Sequence, residues 1–179
     1  HLSKELGIPY YDKDIFRMVS DKSGVLEEFF HVNSERPGNN LLYKLVKDLK
    51  PADQKPSLGK DIVSPDNLFR FQSELIRELA DNESCIIIGR CADYVLKDHD
   101  NCVHVFVCGD MDSKVQRMMH SYSLEESAAV ERIKETDKQR KKYYSYYTGG
   151  DWEAASNYDL CLNTGDMSIE EAAEQILFY

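Results

Sequence analysis

The sequence predicts an α/β protein built on a parallel sheet, and three observations carry that prediction. Short β-branched runs alternate with segments of helical period, the order that βαβ units produce. The strongest of these runs, Cys85-Ile86-Ile87-Ile88 and Val103-His104-Val105-Phe106-Val107-Cys108, are apolar on nearly every position, as strands covered by helices on both sides require. With 179 residues, 42% of them hydrophobic, the chain is long enough for one sizeable core, so residues 1–179 are expected to form a single domain.

Taken in order, Leu2 to Leu6 read as the last turns of a helix entering Gly7. Ile8-Pro9-Tyr10-Tyr11 is a weak strand, confined to a start or an edge by Pro9. Residues 13–63 are expected to be an insertion. Within it, residues 31–63 are polar and turn-rich, from His31 through Pro37-Gly38 and Pro51 to Pro56, around one short helix at Leu41–Leu49. Ser64-Pro65 is an N-cap followed by proline, and Leu68, Phe71, Leu75, Ile76 and Leu79 then keep helical spacing to Asp81. After the second strand and the third, Asp112 is expected to cap a helix through Val115, Met118 and Met119. Ser123-Leu124-Glu125-Glu126 and Ser168-Ile169-Glu170-Glu171 both fit the capping box, opening a long helix towards Lys142 and a C-terminal one. Asp159-Leu160-Cys161-Leu162 is the last strand.

Composition excludes several classes. No apolar run approaches the ~20 residues that span a bilayer, and His1-Leu2-Ser3-Lys4-Glu5 has no secretory character, so a cytoplasmic protein without membrane contact is expected. The net charge of −10 argues against a polymeric nucleic-acid partner. Five cysteines with no C-x-x-C pair favour reduced, packed thiols over disulfides or a metal site. Against the acidic background, Arg132 to Lys142 holds six basic residues against Glu135 and Asp137, a net of +4. That segment is either a solvated helix face or a local anion site.

Two places invite chemistry. At Ile88-Gly89-Arg90 an apolar strand ends in glycine and a cation, at the carboxyl end where open parallel sheets bind ligands. The other reading is a strand-to-helix turn with Arg90 paired to a surface carboxylate. On the long helix, Asp137 and Arg140 continue the face of Ala129 and Ile133, which extends an apolar stripe into charge. Tyr143-Tyr144-Ser145-Tyr146-Tyr147-Thr148-Gly149-Gly150-Asp151-Trp152 then suits either a closing flap or a packed loop.

These segments together, with Gly89-Arg90-Cys91-Ala92-Asp93-Tyr94, Lys134 to Arg140, Tyr143 to Trp152, Asn157 to Thr164, Gly7 to Lys13 and Gln72-Ser73-Glu74, resemble the cytidylate-kinase-like family of P-loop nucleoside-monophosphate kinases. The resemblance implies a three-layer P-loop kinase fold with a five-stranded parallel sheet, a helical acceptor-binding insertion and a lid, here residues 112–152. It implies ATP as donor, Mg2+, and a nucleoside monophosphate as acceptor, CMP or dCMP. By the same resemblance Arg90, Arg140 and Arg117 handle the phosphates. Asp137, Asp12, Tyr11, Gln72 and Gly89 line the acceptor, and Asn163 and Thr164 border the adenine.

The sequence departs from that pattern in three places. Cys91 stands where related cytidylate kinases carry aspartate, and the lid is rich in tyrosine where they carry arginine. No G-x-x-x-x-G-K-[ST] loop occurs, since Gly59-Lys60 is followed by Asp61 and Gln54 stands where the first glycine is needed. The expectation is that about twenty preceding residues, the first half of a βαβ unit, hold the first strand and this loop. A non-catalytic nucleotide-binding or regulatory protein on the same scaffold, or a kinase with another small acceptor, are the competing readings.

Overall fold

Glycines in left-handed backbone end three of the helices, Gly7 (φ 66°), Gly24 (φ 68°) and Gly149 (φ 70°), conformations that a Cβ disfavours. A computed structural model describes residues 1–25, 27 and 64–179. In chain order its elements are α1 (Leu2–Leu6), β1 (Tyr10–Tyr11), α2 (Asp14–Ser23), α3 (Pro65–Asn82), β2 (Ile86–Ile87), α4 (Ala92–Val95), β3 (Val105–Cys108), α5 (Met111–Tyr122), α6 (Glu126–Thr148), a 3-10 turn (Ala155–Asn157), β4 (Leu160–Asn163) and α7 (Ile169–Phe178). The expected Leu41–Leu49 helix and Gly59-Lys60 lie outside the described residues. The chain divides into two compact units, one of Ile8–Asp98, the other of His1–Gly7 with His99–Tyr179.

In the Ile8–Asp98 unit, β1 and β2 pair in parallel, Tyr10 opposite Ile86 and Tyr11 opposite Ile87. α2 buries Ile15, Phe16 and Val19, and α3 buries Leu68, Leu75, Ile76 and Leu79. Each such side chain contributes about 1.5–3 kcal/mol on leaving water. Ser64 caps α3 as expected, accepting from the Asn67 amide at 3.2 Å with proline at the first helical position. Phe71 is only half-buried, and the polar Gln72 holds a buried place in the stripe instead.

In the other unit, β3 and β4 pair in parallel from Val105–Leu160 to Cys108–Asn163. Asp159 continues the pairing, its carboxylate accepting from the His104 amide at 2.7 Å. α5 and α6 meet through Val115, Ala129 and Ile133, with Met118, Met119, Leu124 and Val130 packed around them. α7 opens with the expected capping box, Ser168 and Glu171 each accepting from the other's amide.

Four expectations change. The strands stand as two separate parallel pairs among the described residues, and the runs are not covered on both sides: Val103 and Val107 are 56% and 54% exposed. An edge strand has one side without a pairing partner, and a face that no helix covers leaves alternate side chains in water. α5 is capped by Asp110, whose carboxylate accepts from the Ser113 amide at 2.9 Å, while Asp112 lies in the first turn. The Ser113 hydroxyl and amide hold the Asp110 carboxyl below its usual range. Ser123 (φ 52°) ends α5, so α6 takes Glu125 as its N-cap. Only Leu124 separates the two, too short a link for one serine to serve both helices.

The aromatic stretch is structured. Tyr143 to Thr148 are the last turns of α6, with Tyr143 and Tyr144 buried. Trp152 packs edge-on to Phe106, which stacks on Tyr158 at 4.9 Å. The Tyr158 hydroxyl donates to Trp152 O at 2.7 Å, and Asn157 Nδ2 to Asp151 O at 2.8 Å. These contacts describe a packed loop, the second of the two readings of this segment.

Candidate functional site

The residues singled out at the strand ends gather in two clusters, one in each unit. In the Ile8–Asp98 unit, β2 is followed, after Ile88, by Gly89-Arg90-Cys91, and the Arg90 side chain is only 10% exposed. Its guanidinium carbon lies 4.1 Å from the centroid of the Phe16 ring, and Nη2 lies 3.7 Å from Asp12 Oδ1. Gln72 Nε2 donates to the Arg90 carbonyl at 3.1 Å. Asp12, Gln72, Gly89 and Arg90, separated by up to 78 positions, thus meet around one cation. A planar guanidinium backed by a ring and faced by a loosely held carboxylate is disposed to take a phosphate.

Tyr11 stands apart from that cluster. Its hydroxyl donates to Glu83 Oε1 at 2.6 Å. That hydrogen bond, then burial, raises the phenol to a pKa of about 12. Cys91 is 5% exposed. Burial, with the Asp93 carboxylate adding, pushes its thiol far above the usual range, so it stays protonated and inert at neutral pH.

The second cluster joins α5, α6 and the turn after β4. Lys114 Nζ donates to Asp137 Oδ2 at 2.8 Å, and Arg140 Nη1 lies 3.6 Å from Asp137 Oδ1. The Arg140 guanidinium sits 5.9 Å over the Trp152 ring. On the same helix as Lys114, one turn on, Arg117 Nη2 donates to Thr164 O at 3.3 Å. Lys114 and Arg140 thus share the Asp137 carboxylate, while Arg117 is held by a backbone carbonyl. The Thr164 hydroxyl is turned inward, donating to Cys108 O at 3.1 Å, and the side chain is 7% exposed. Asn163 Oδ1 accepts from the Gly165 amide at 3.0 Å, closing the turn.

Sequence reasoning singled out Arg117, Asp137, Arg140, Asn163 and Thr164 and missed Lys114 and Phe16 as members of these clusters. Lys114 carries a signal, its i, i+3 spacing to Arg117, which puts both on one helix face. Phe16 carries none, since an aromatic on an amphipathic helix reads as core. Among the described residues no group of three or more His, Cys, Asp and Glu is placed to hold a metal ion, and no helix is long and apolar enough to cross a membrane.

The described residues thus form an α/β chain with parallel strand pairs and basic side chains near the strand ends. Residues 1–166 match the model of the cytidylate kinase-like family, and the chain belongs to that family. It is similar to an uncharacterized protein from Eubacterium ventriosum solved by crystallography, at 29% identity and a TM-score of 0.70, covering 99% of this chain and 86% of that one. It is also 28% identical over 96 residues, 51% of its length, to a uronate isomerase of Corynebacterium glutamicum, of which the chain spans 18%.

Proposed function

We propose that the protein containing this chain is a nucleoside-monophosphate kinase, moving the γ-phosphoryl of ATP to CMP or dCMP. The observation that carries the reading is Arg90, a nearly buried arginine at a strand end, seated on Phe16 beside Asp12 with its backbone held by Gln72. Its planar fork faces a half-exposed carboxylate that an anion of matching geometry can replace, and family membership supports a phosphoryl group as that anion.

In this reading Arg90 grips the acceptor phosphate, displacing the Asp12 carboxylate, whose exposed side chain is free to turn to the sugar or base. Gly89 lets the backbone approach. Asp137 holds Lys114 and Arg140 until phosphate oxygens replace it, and Arg117 adds a third cation for the donor. Phosphoryl transfer needs little covalent work from a protein; it needs in-line placement and cations where charge spreads. At the turn Asn163-Thr164-Gly165 the Asn163 side-chain amide faces an adenine in this reading, while the Thr164 side chain serves the turn itself.

ATP fits the residues present through Lys114, Arg117 and Arg140. Mg2+, which neutralises charge between the donor phosphates in such chemistry, finds no ligand set among the described residues, so no residue of this chain is assigned to it.

A second reading, a non-catalytic nucleotide-binding protein, draws on Cys91, which occupies an aspartate position of related cytidylate kinases with an inert, buried thiol. A coupled assay of the full-length gene product with ATP-Mg2+ and each nucleoside monophosphate separates the two. Turnover with CMP or dCMP, lost in Arg90→Ala and Arg140→Ala, is expected. Binding of CMP without turnover of any monophosphate supports the second reading, and neither binding nor turnover sinks both.

A further inference from the structure

Three successive residues after β2 have left-handed backbone: Gly89 (φ 69°), Arg90 (φ 61°) and Cys91 (φ 53°). Glycine adopts it freely, but at Arg90 and Cys91 the Cβ crowds the following carbonyl, so the turn is strained at both. Such conformations persist where the surroundings over-determine them. The turn is closed by the Ala92 amide donating to Gly89 O at 3.0 Å. Its middle carbonyl, that of Arg90, accepts from Gln72.

Gln72 is out of place by composition. It lies between Leu68 and Leu75 in the buried stripe of α3 and is 2% exposed. An amide in an apolar stripe lowers stability unless it is hydrogen-bonded, and the partner of its Nε2 is the strained carbonyl. A methionine or leucine there would fill the core equally well and leave the turn to relax.

We propose that Gln72 is a positioning residue: it holds the Gly89–Cys91 turn left-handed and so keeps the Arg90 guanidinium between Asp12 and the Phe16 ring before any ligand arrives. This rests on Arg90 as the phosphate ligand of the proposed kinase. In this role Gln72 touches the backbone of the arginine and not the nucleotide. Without it the turn relaxes towards right-handed backbone, the guanidinium swings off Phe16, and a phosphate must restore the turn as it binds, which lowers apparent affinity by the fraction of molecules still competent.

The test is calorimetric titration of CMP into the full-length protein and into Gln72→Met, Cys91→Gly and their combination, with amide hydrogen exchange at Ala92 read without ligand. Gln72→Met keeps the volume and drops the donor; CMP affinity is expected to fall about tenfold, and Ala92 to exchange faster. Adding Cys91→Gly is expected to recover most of both losses, because glycine holds the left-handed turn without a Cβ penalty. A glutamine that only filled the core would not be rescued from another element. Unchanged Ala92 exchange in Gln72→Met, or losses that Cys91→Gly does not recover, overturns the proposal. Should Gln72→Met fold poorly, Gln72→Asn, which keeps an amide too short to reach the carbonyl, is expected to show the same losses and rescue; their absence overturns it equally. Arg90→Ala in the same titration separates the two levels. Unchanged CMP affinity there sinks the reading of Arg90, whereas a loss in Arg90→Ala with none in Gln72→Met sinks only the role of Gln72.

Discussion

Among the described residues Phe16 is both buried in the apolar core and set under the guanidinium of Arg90, and replacing it by leucine separates the two contributions. The ring is 1% exposed, so Phe16→Leu costs about 1.5 kcal/mol in lost contacts and residual cavity. The cation over its face is held at 4.1 Å by a side chain only 10% exposed, which puts the cation–π attraction at about 1–2 kcal/mol, the desolvated end of its range. Asp12 contributes less, because 3.7 Å exceeds hydrogen-bond distance and its side chain is 42% exposed. Phe16→Leu is thus expected to lower stability by about 2.5–3.5 kcal/mol, or roughly 5–14 °C in melting temperature for a chain of this length. The decisive measurement is a double-mutant cycle with Arg90→Met by urea denaturation. A coupling energy of about 1–2 kcal/mol is expected. Additivity within about 0.5 kcal/mol would refute the reasoning, since residues that do not interact add to that precision.

The remaining predictions concern the other contacts. Gly165→Ala places a Cβ against Asp110 Oδ2; the carboxylate must leave Ser113, and the loss of the α5 cap is expected to lower the melting temperature in thermal denaturation. Lys114→Met removes the contact to Asp137, a partly exposed pair worth under about 1 kcal/mol of stability, yet is expected to weaken ATP binding several-fold, a split that equilibrium binding and denaturation together will read. Tyr11 is expected to ionise near pH 12 in a 295 nm titration difference against Tyr11→Phe, and Glu83→Gln to move that step down. Because its folded pKa lies above the unfolded value near 10, this phenol supports the fold fully below about pH 10 and loses that contribution as pH rises towards 12. Ser168→Ala is expected to cost about 1 kcal/mol by removing one half of the capping box.

Much of the secondary structure was legible because its signals are local. Ser64-Pro65 and Ser168-x-x-Glu171 mark helix starts through side chains that reach their own backbone, and both are found as read. The same logic misplaced two caps, at Asp112 and Ser123. A carboxylate or hydroxyl within two residues of the true start competes for the role, and the tie is decided by where the preceding strand or helix ends. The reading of Asp137 and Arg140 as a continuation of the Ala129–Ile133 face holds because helical period alone sets it, whereas the partner of Asp137, Lys114, depends on how α5 meets α6. Apolar runs announced the strands but overstated their cover, since a sequence carries no record of how many strands flank it.

The acceptor-side cluster divides along the same line. That Arg90 follows a strand and a glycine is written in the order of the residues, and so is the presence of one amide in the stripe of α3. That Gln72 meets the carbonyl of Arg90, that Phe16 lies under the guanidinium, and that Tyr11 turns away to Glu83 depend on contacts between residues tens of positions apart. Local propensity determines what each segment is. Only packing, which brings distant segments within a few ångströms and settles which polar group finds which partner, decided how the arginine after β2 is held.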